Sequence, residues 1–204
     1  MPLTLRGAPP LTRQQVVLRV TFGLIAIAAG GASLAVAPGL RGVLGAGLAF
    51  GMLAVAIIDL RQFIIPNELI VVGLALGFVH AGITASETAT ESIVLAATRG
   101  AVLALAFLLL RVIYHRWRGR HGIGLGDVKL AAVAGVWLDW QTIPVAIEIA
   151  AVAALGAYVI MHFYFHRIVR PTTRLPFGLF LAPAIWIAWI LDATLLLYLS
   201  AATF

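Results

Sequence analysis

An apolar run from Val43 to Leu60 ends in Ile57-Ile58-Asp59-Leu60-Arg61-Gln62-Phe63-Ile64-Ile65-Pro66-Asn67, and this stretch decides the fold. The run is close to the roughly 20 residues that a helix needs to cross the hydrocarbon of a bilayer. It carries Gly45, Gly47 and Gly51, and small residues let membrane helices pack closely. Asp59 sits where the run ends. The C-terminal end of a helix carries partial negative charge and disfavours an anion. Arg61 can neutralise Asp59 at the interface; otherwise an acidic group in a span marks a functional site. Pro66 stops the helix from continuing. The irregular backbone around it is tolerated in a membrane only where it lines a cavity.

Similar runs recur on both sides, at about Val16–Ala37, Leu69–Thr84, Ile93–Ile113, Val128–Leu138, Ile143–Phe165 and Phe177–Leu199. Of the 204 residues, 62% are hydrophobic and 11% charged, against roughly a quarter charged in soluble domains. The expected fold is therefore all-α, a polytopic transmembrane helical bundle of about seven spans. Pro38-Gly39 ends the first run, and Pro171 and Pro176 interrupt the entry to the last. The Val128–Leu138 run is short, either a partial span or one extending back through Gly124 and on to Trp140.

Charge sets the expected orientation. Basic residues cluster at Arg6, Arg13 and Arg19, again from Arg111 through Arg116, Arg118 and Arg120 to Lys129, and again at Arg167, Arg170 and Arg174. The intervening loops are neutral or acidic, with Glu87 and Glu91 in one and Asp139 in another. The positive-inside rule then places the N-terminus in the cytoplasm and the C-terminus outside. Residues 1–15 read as a cytoplasmic arm and 1–204 as one integral-membrane domain. A cleavable signal ending at Ala35-Val36-Ala37 would break this alternation. The net charge of +6 fits topology and contact with membrane lipids rather than nucleic acid. With no cysteine, thiolate chemistry, disulfides and Cys-ligated zinc are excluded.

A second acidic motif, Gly124-Leu125-Gly126-Asp127-Val128-Lys129-Leu130, opens the fifth run. Alternating spans bring Asp59, at the inner end of the second, to the same depth as Asp127, at the inner start of the fifth. Asp127 also suits a helix N-cap. If the two meet, they cannot both ionise cheaply and share a proton. One can then take a proton from water while the other donates to a carbonyl oxygen. Gly124 and Gly126 would permit close approach of a substrate backbone.

At these residues the chain resembles the type IV prepilin peptidases, bacterial membrane aspartic proteases with a Gly-x-Gly-Asp signature. Asp59 with Ile65-Pro66-Asn67 resembles the family's first motif and Gly124 to Leu130 its second. Leu175-Pro176-Phe177-Gly178 resembles its Pro-Phe-Gly segment, with Leu179 where a proline is usual. The resemblance implies a catalytic dyad of Asp59 and Asp127, shaped by Pro66, Asn67, Gly124, Gly126, Lys129, Pro176, Phe177 and Gly178. It implies cleavage of prepilin or pseudopilin leaders at the cytoplasmic face of the bacterial inner membrane, for type IV pili or type II secretion, without cofactor or metal. Longer members carry a cysteine-containing methyltransferase domain; this chain is expected to be a short form lacking it.

Other polar residues have plainer expectations. Lys129 is expected to snorkel, Asn67 to cap the third helix, and Glu68 to be an early-turn charge. The histidines 80, 115, 121, 162 and 166 lack the glutamate pattern of a zinc protease and read as interfacial. Glu148 and Asp192 fall in the outer half, where they keep a proton- or cation-coupled transporter as the alternative function. Such a transporter should show related halves, and none are found.

Overall fold

The chain folds as α1 (Arg13–Val36), α2 (Leu40–Gln62), α3 (Asn67–Ile83), α4 (Ala89–Arg118), α5 (Leu125–Trp137), α6 (Thr142–Tyr164) and α7 (Phe177–Ala202). The structure, a computed structural model, describes residues 13–85, 88–119, 122–164 and 176–202. The arm to residue 12, Glu87, Arg120, His121, His166, Arg167, Arg170, Pro171, Arg174 and Leu175 lie outside the described residues. Residues 13–15, read from the sequence as part of the arm, are already helical.

Four helices, α2, α4, α6 and α7, are long and apolar enough to cross a membrane. The chain is a multi-pass membrane protein. The seven expected runs each become a helix, but α5 has only 13 residues and spans about 20 Å. It is too short to cross the hydrocarbon alone and is enclosed by its neighbours. Leu130, Ala131, Val133, Ala134, Val136 and Trp137 on it are all buried.

The helix ends follow from local chemistry. Gly39 precedes α2 at φ 71°, a conformation glycine adopts without a Cβ penalty. Thr88 caps α4 by accepting a hydrogen bond from the Glu91 amide at 3.3 Å. Gly119 closes α4 in the left-handed region. Phe63 closes α2 in the same region, at φ 55°, where a residue with a Cβ is strained by about 1–2 kcal/mol. Its N–H bonds the Asp59 carbonyl at 2.9 Å. This turn throws residues 63–66 out of the helix, and Pro66, extended at ψ 135°, starts α3.

Close packing rests on glycine. A side chain at Gly45 would collide with Trp189, and one at Gly135 would sit 2.5 Å from the Arg99 carbonyl oxygen. These contacts join α2 to α7 and α4 to α5. Between membrane helices, such van der Waals fit replaces hydrophobic burial as the cohesive force. Leu48, Met52 and Val55 of α2 meet Leu181, Ile185 and Trp189 of α7 in one core with Leu130 and Val133 of α5. The outer faces of α4 and α6 remain apolar and exposed, as at Leu105, Leu109, Val152 and Leu155, and suit contact with lipid.

The up-and-down order gives the bundle two polar ends. One gathers the end of α2 and the starts of α3, α5 and α7. The other holds a cavity of about 190 Å³ lined by Arg41, His80, Arg99, Trp137, Asp139 and Asp192, among others.

Candidate active site

Asp59 is 5% exposed, yet it lies in the last turn of α2, the end whose dipole opposes an anion. The opposing end of α7 supplies the compensation. The Leu179 amide donates to Asp59 Oδ2 at 2.9 Å, and the Gly178 backbone lies beside the same carboxylate. These are first-turn amides that no intrahelical carbonyl can satisfy, a ready anion site. A Cβ at Gly178 would stand 2.8 Å from Asp59 Oδ2. Pro176 and Phe177 bring the helix start into place, and the Leu179 N–H also reaches the Pro176 carbonyl at 3.2 Å.

Asp127 occupies the third position of α5 rather than the cap expected from sequence; Gly124 is the N-cap. The Asp127 carboxylate reaches back to accept the Gly124 N–H at 3.0 Å, as in the acidic half of a capping box. Thus each aspartate rests against amides at a helix start.

Ile65 joins the two halves. It is buried, and its side chain fills the space that Cβ atoms at Gly126 and Gly178 would occupy, at 3.1 and 2.9 Å. The Phe63 turn and Pro66 place it there, so the motif around Asp59 packs under the loop of Asp127. The two carboxylates are near enough to interact electrostatically.

Lys129 and Asn67 also meet, with Lys129 Nζ donating to Asn67 Oδ1 at 2.7 Å. This ties Lys129 of α5 to the start of α3. It corrects one expectation, since Asn67 is the first residue of α3 with Pro66 at the cap. Sequence reasoning missed the Leu179 amide, Ile65 and Arg111, whose Nη1 donates to the Ile123 carbonyl at 2.6 Å. A basic residue at the end of an apolar run signals topology first, which hid the last of these.

Glu148 and Asp192 stay away from this end. Asp192 lines the opposite cavity, and Glu148 borders an apolar groove on α6 with Val145, Ile149 and Val152. His80 is buried rather than interfacial, stacked on Trp137 at 4.9 Å and accepting the Trp189 indole N–H at 3.2 Å.

Residues 46–160, which include both aspartates, match the family model described as the type IV leader peptidase family. The chain belongs to the type IV leader peptidase family. It is similar to a prepilin leader peptidase/N-methyltransferase of Burkholderia pseudomallei, 36% identical over 137 residues, covering 67% of this chain and 42% of that protein. A protein of the same name from Pseudomonas putida is 32% identical over 144 residues, covering 69% of this chain and 47% of the relative. One from Escherichia coli is 30% identical over 131 residues, covering 64% and 55%. The chain thus spans about half the length of these leader peptidase relatives. No solved structure matches it. The match to the leader peptidase family ends before α7, so the amides that hold Asp59 lie beyond it.

Proposed function

We propose that this chain is an aspartic endopeptidase that removes the leader from type IV prepilins or pseudopilins at the cytoplasmic face of the bacterial inner membrane. What supports this reading is that Asp59 and Asp127 lie at the same end of the bundle, that each accepts a backbone amide hydrogen bond at a helix start, and that the Asp59 charge reaches Asp127. The relatives' name supplies the substrate class.

In this reading the dyad carries one proton. The ionised carboxylate takes a proton from water as the oxygen attacks the scissile carbonyl carbon. The protonated carboxyl donates to the carbonyl oxygen, giving a neutral tetrahedral intermediate. The carboxyl that took the water proton then gives it to the leaving nitrogen, while the other carboxylate takes a hydroxyl proton from the intermediate as the C–N bond breaks and the C=O bond reforms, so the dyad again carries one proton. The amides of Gly124, Gly178 and Leu179 keep the carboxylates fixed throughout, which reduces reorganisation during the reaction. Pro66, Asn67, Lys129 and the Pro176–Gly178 turn act in this reading as walls and supports of the site.

The test is leader cleavage of a co-expressed prepilin by wild type, Asp59→Asn and Asp127→Asn at matched membrane levels. Cleavage by wild type and by neither variant supports the dyad. Cleavage surviving either substitution overturns it.

A further inference from the structure

We propose that Arg111 is a positioning residue for Asp127, acting through the peptide unit between Ile123 and Gly124. The proposal rests on the reading of Asp127 as half of the dyad.

The carbonyl of Ile123 and the N–H of Gly124 are two ends of one planar peptide group. Arg111 Nη1 holds the oxygen end at 2.6 Å. The nitrogen end points at Asp127 Oδ2 at 3.0 Å. Fixing one end of a plane aims the other. The constraint matters because Gly124 gives the unit unusual rotational freedom, and nothing in a glycine side chain can restore it. A charged donor on the carbonyl also polarises the unit, so its N–H becomes a stronger donor to the carboxylate. The guanidinium charge itself reaches Asp127 as well.

Arg111 differs from the basic residues that follow it. Arg116 and Arg118 on the same helix are exposed, whereas Arg111 is partly buried and turned towards the bundle. The groups facing Asp127 are Asp59 from α2, Arg111 from α4 and the Gly124 amide from its own loop. Arg111 is therefore the cation of that set. A lysine could keep the charge but offers no planar fork with a fixed direction.

The experiment compares full-length wild type, Arg111→Met, Arg111→Lys and Arg116→Gln in detergent micelles, with Arg116→Gln removing a topogenic charge that has no part in the contact. Two readouts are taken. The first is hydrogen exchange of the Gly124 amide in protein labelled with 15N-glycine. Arg111→Met should speed exchange by about tenfold or more, the equivalent of losing one charge-assisted hydrogen bond, and Arg116→Gln should leave it unchanged. The second is prepilin cleavage. Arg111→Met should lower kcat by about 10- to 100-fold with KM within about twofold, and Arg111→Lys, which keeps the charge but not the fork, should recover only a minor part of the loss. Unchanged Gly124 exchange in Arg111→Met overturns the proposal. So does an equal loss of kcat in Arg116→Gln, or a fall in protein level with kcat per folded molecule intact. If wild type cleaves no prepilin, the proposed function falls, and the exchange measurement still decides the role of Arg111.

Discussion

The two ends of the bundle treat buried polarity differently. At the end holding the cavity, most polar side chains are paired with another side chain or with a backbone carbonyl. Arg99 pairs with Asp139 at 3.1 Å and bonds the Gly135 carbonyl, Trp137 donates to the Gly73 carbonyl, and Trp189 donates to His80. At the other end, Asp59 and Asp127 are held by backbone amides at helix starts. Side-chain partners quench a carboxylate as a reagent, because its charge is spent on a cation. Amides stabilise and orient it while leaving it able to exchange a proton. The contrast separates polar groups that brace helices from polar groups that can do chemistry.

The sharpest way to break this comparison is Asp59→Asn or Asp127→Asn against Arg99→Ala. Each asparagine should lower cleavage by about a thousandfold, with thermal stability little changed. Arg99→Ala should do the reverse, costing about 1–2 kcal/mol of stability through two lost hydrogen-bonding contacts and keeping kcat per folded molecule. Activity lost in Arg99→Ala at normal stability would mean that the two ends are not separate in function.

A smaller effect is expected at Gly178. Gly178→Ala places a Cβ 2.8 Å from Asp59 Oδ2 and 2.9 Å from the Ile65 side chain, so the carboxylate must shift against the Leu179 amide. Steady-state kinetics should show kcat reduced by about 10- to 100-fold with modest change in KM. An unaffected kcat would show that the α7 amides do not matter to the reaction.

Trp189→Phe sharpens the other side. It removes the indole N–H that reaches His80 and should lower the melting midpoint through a loss of about 1 kcal/mol, with cleavage by the folded fraction unchanged. The least effect is expected from Phe63→Gly. The exposed Phe63 ring loses little contact, and relief of the left-handed strain should raise stability by up to about 1 kcal/mol. A stability gain accompanied by slower cleavage would identify the strained turn as part of what holds Ile65 in place.

Much of the scaffold was legible in the sequence because its signals are local. Pro38-Gly39 and Pro66 mark helix ends, and the alternation of basic loops put Asp59 and Asp127 at one depth. The residues that support the aspartates were harder to read. The pairing of Lys129 with Asn67 joins α3 to α5 through space, so neither residue's place in the chain announced it. His80 looked interfacial because nothing near it in the chain announces Trp137 and Trp189. Arg111 was one basic residue among several, and only the fold turns it towards Ile123. The Pro176–Gly178 segment was recognisable as a motif, but its purpose, delivering amides to a carboxylate on α2, required α7 to be docked.

That docking has a consequence for the order in which the site comes into being. The amides of Gly178 and Leu179 come later in the chain than every other part of the site. While the protein is being threaded into the membrane, Asp59 sits at the unfavourable end of its own helix without them. Only when α7 inserts and packs against α2 does the carboxylate gain its donors, so a partly synthesised chain carries both aspartates but an incomplete site. If the proposed function holds, this geometry ties proteolytic competence to completed assembly.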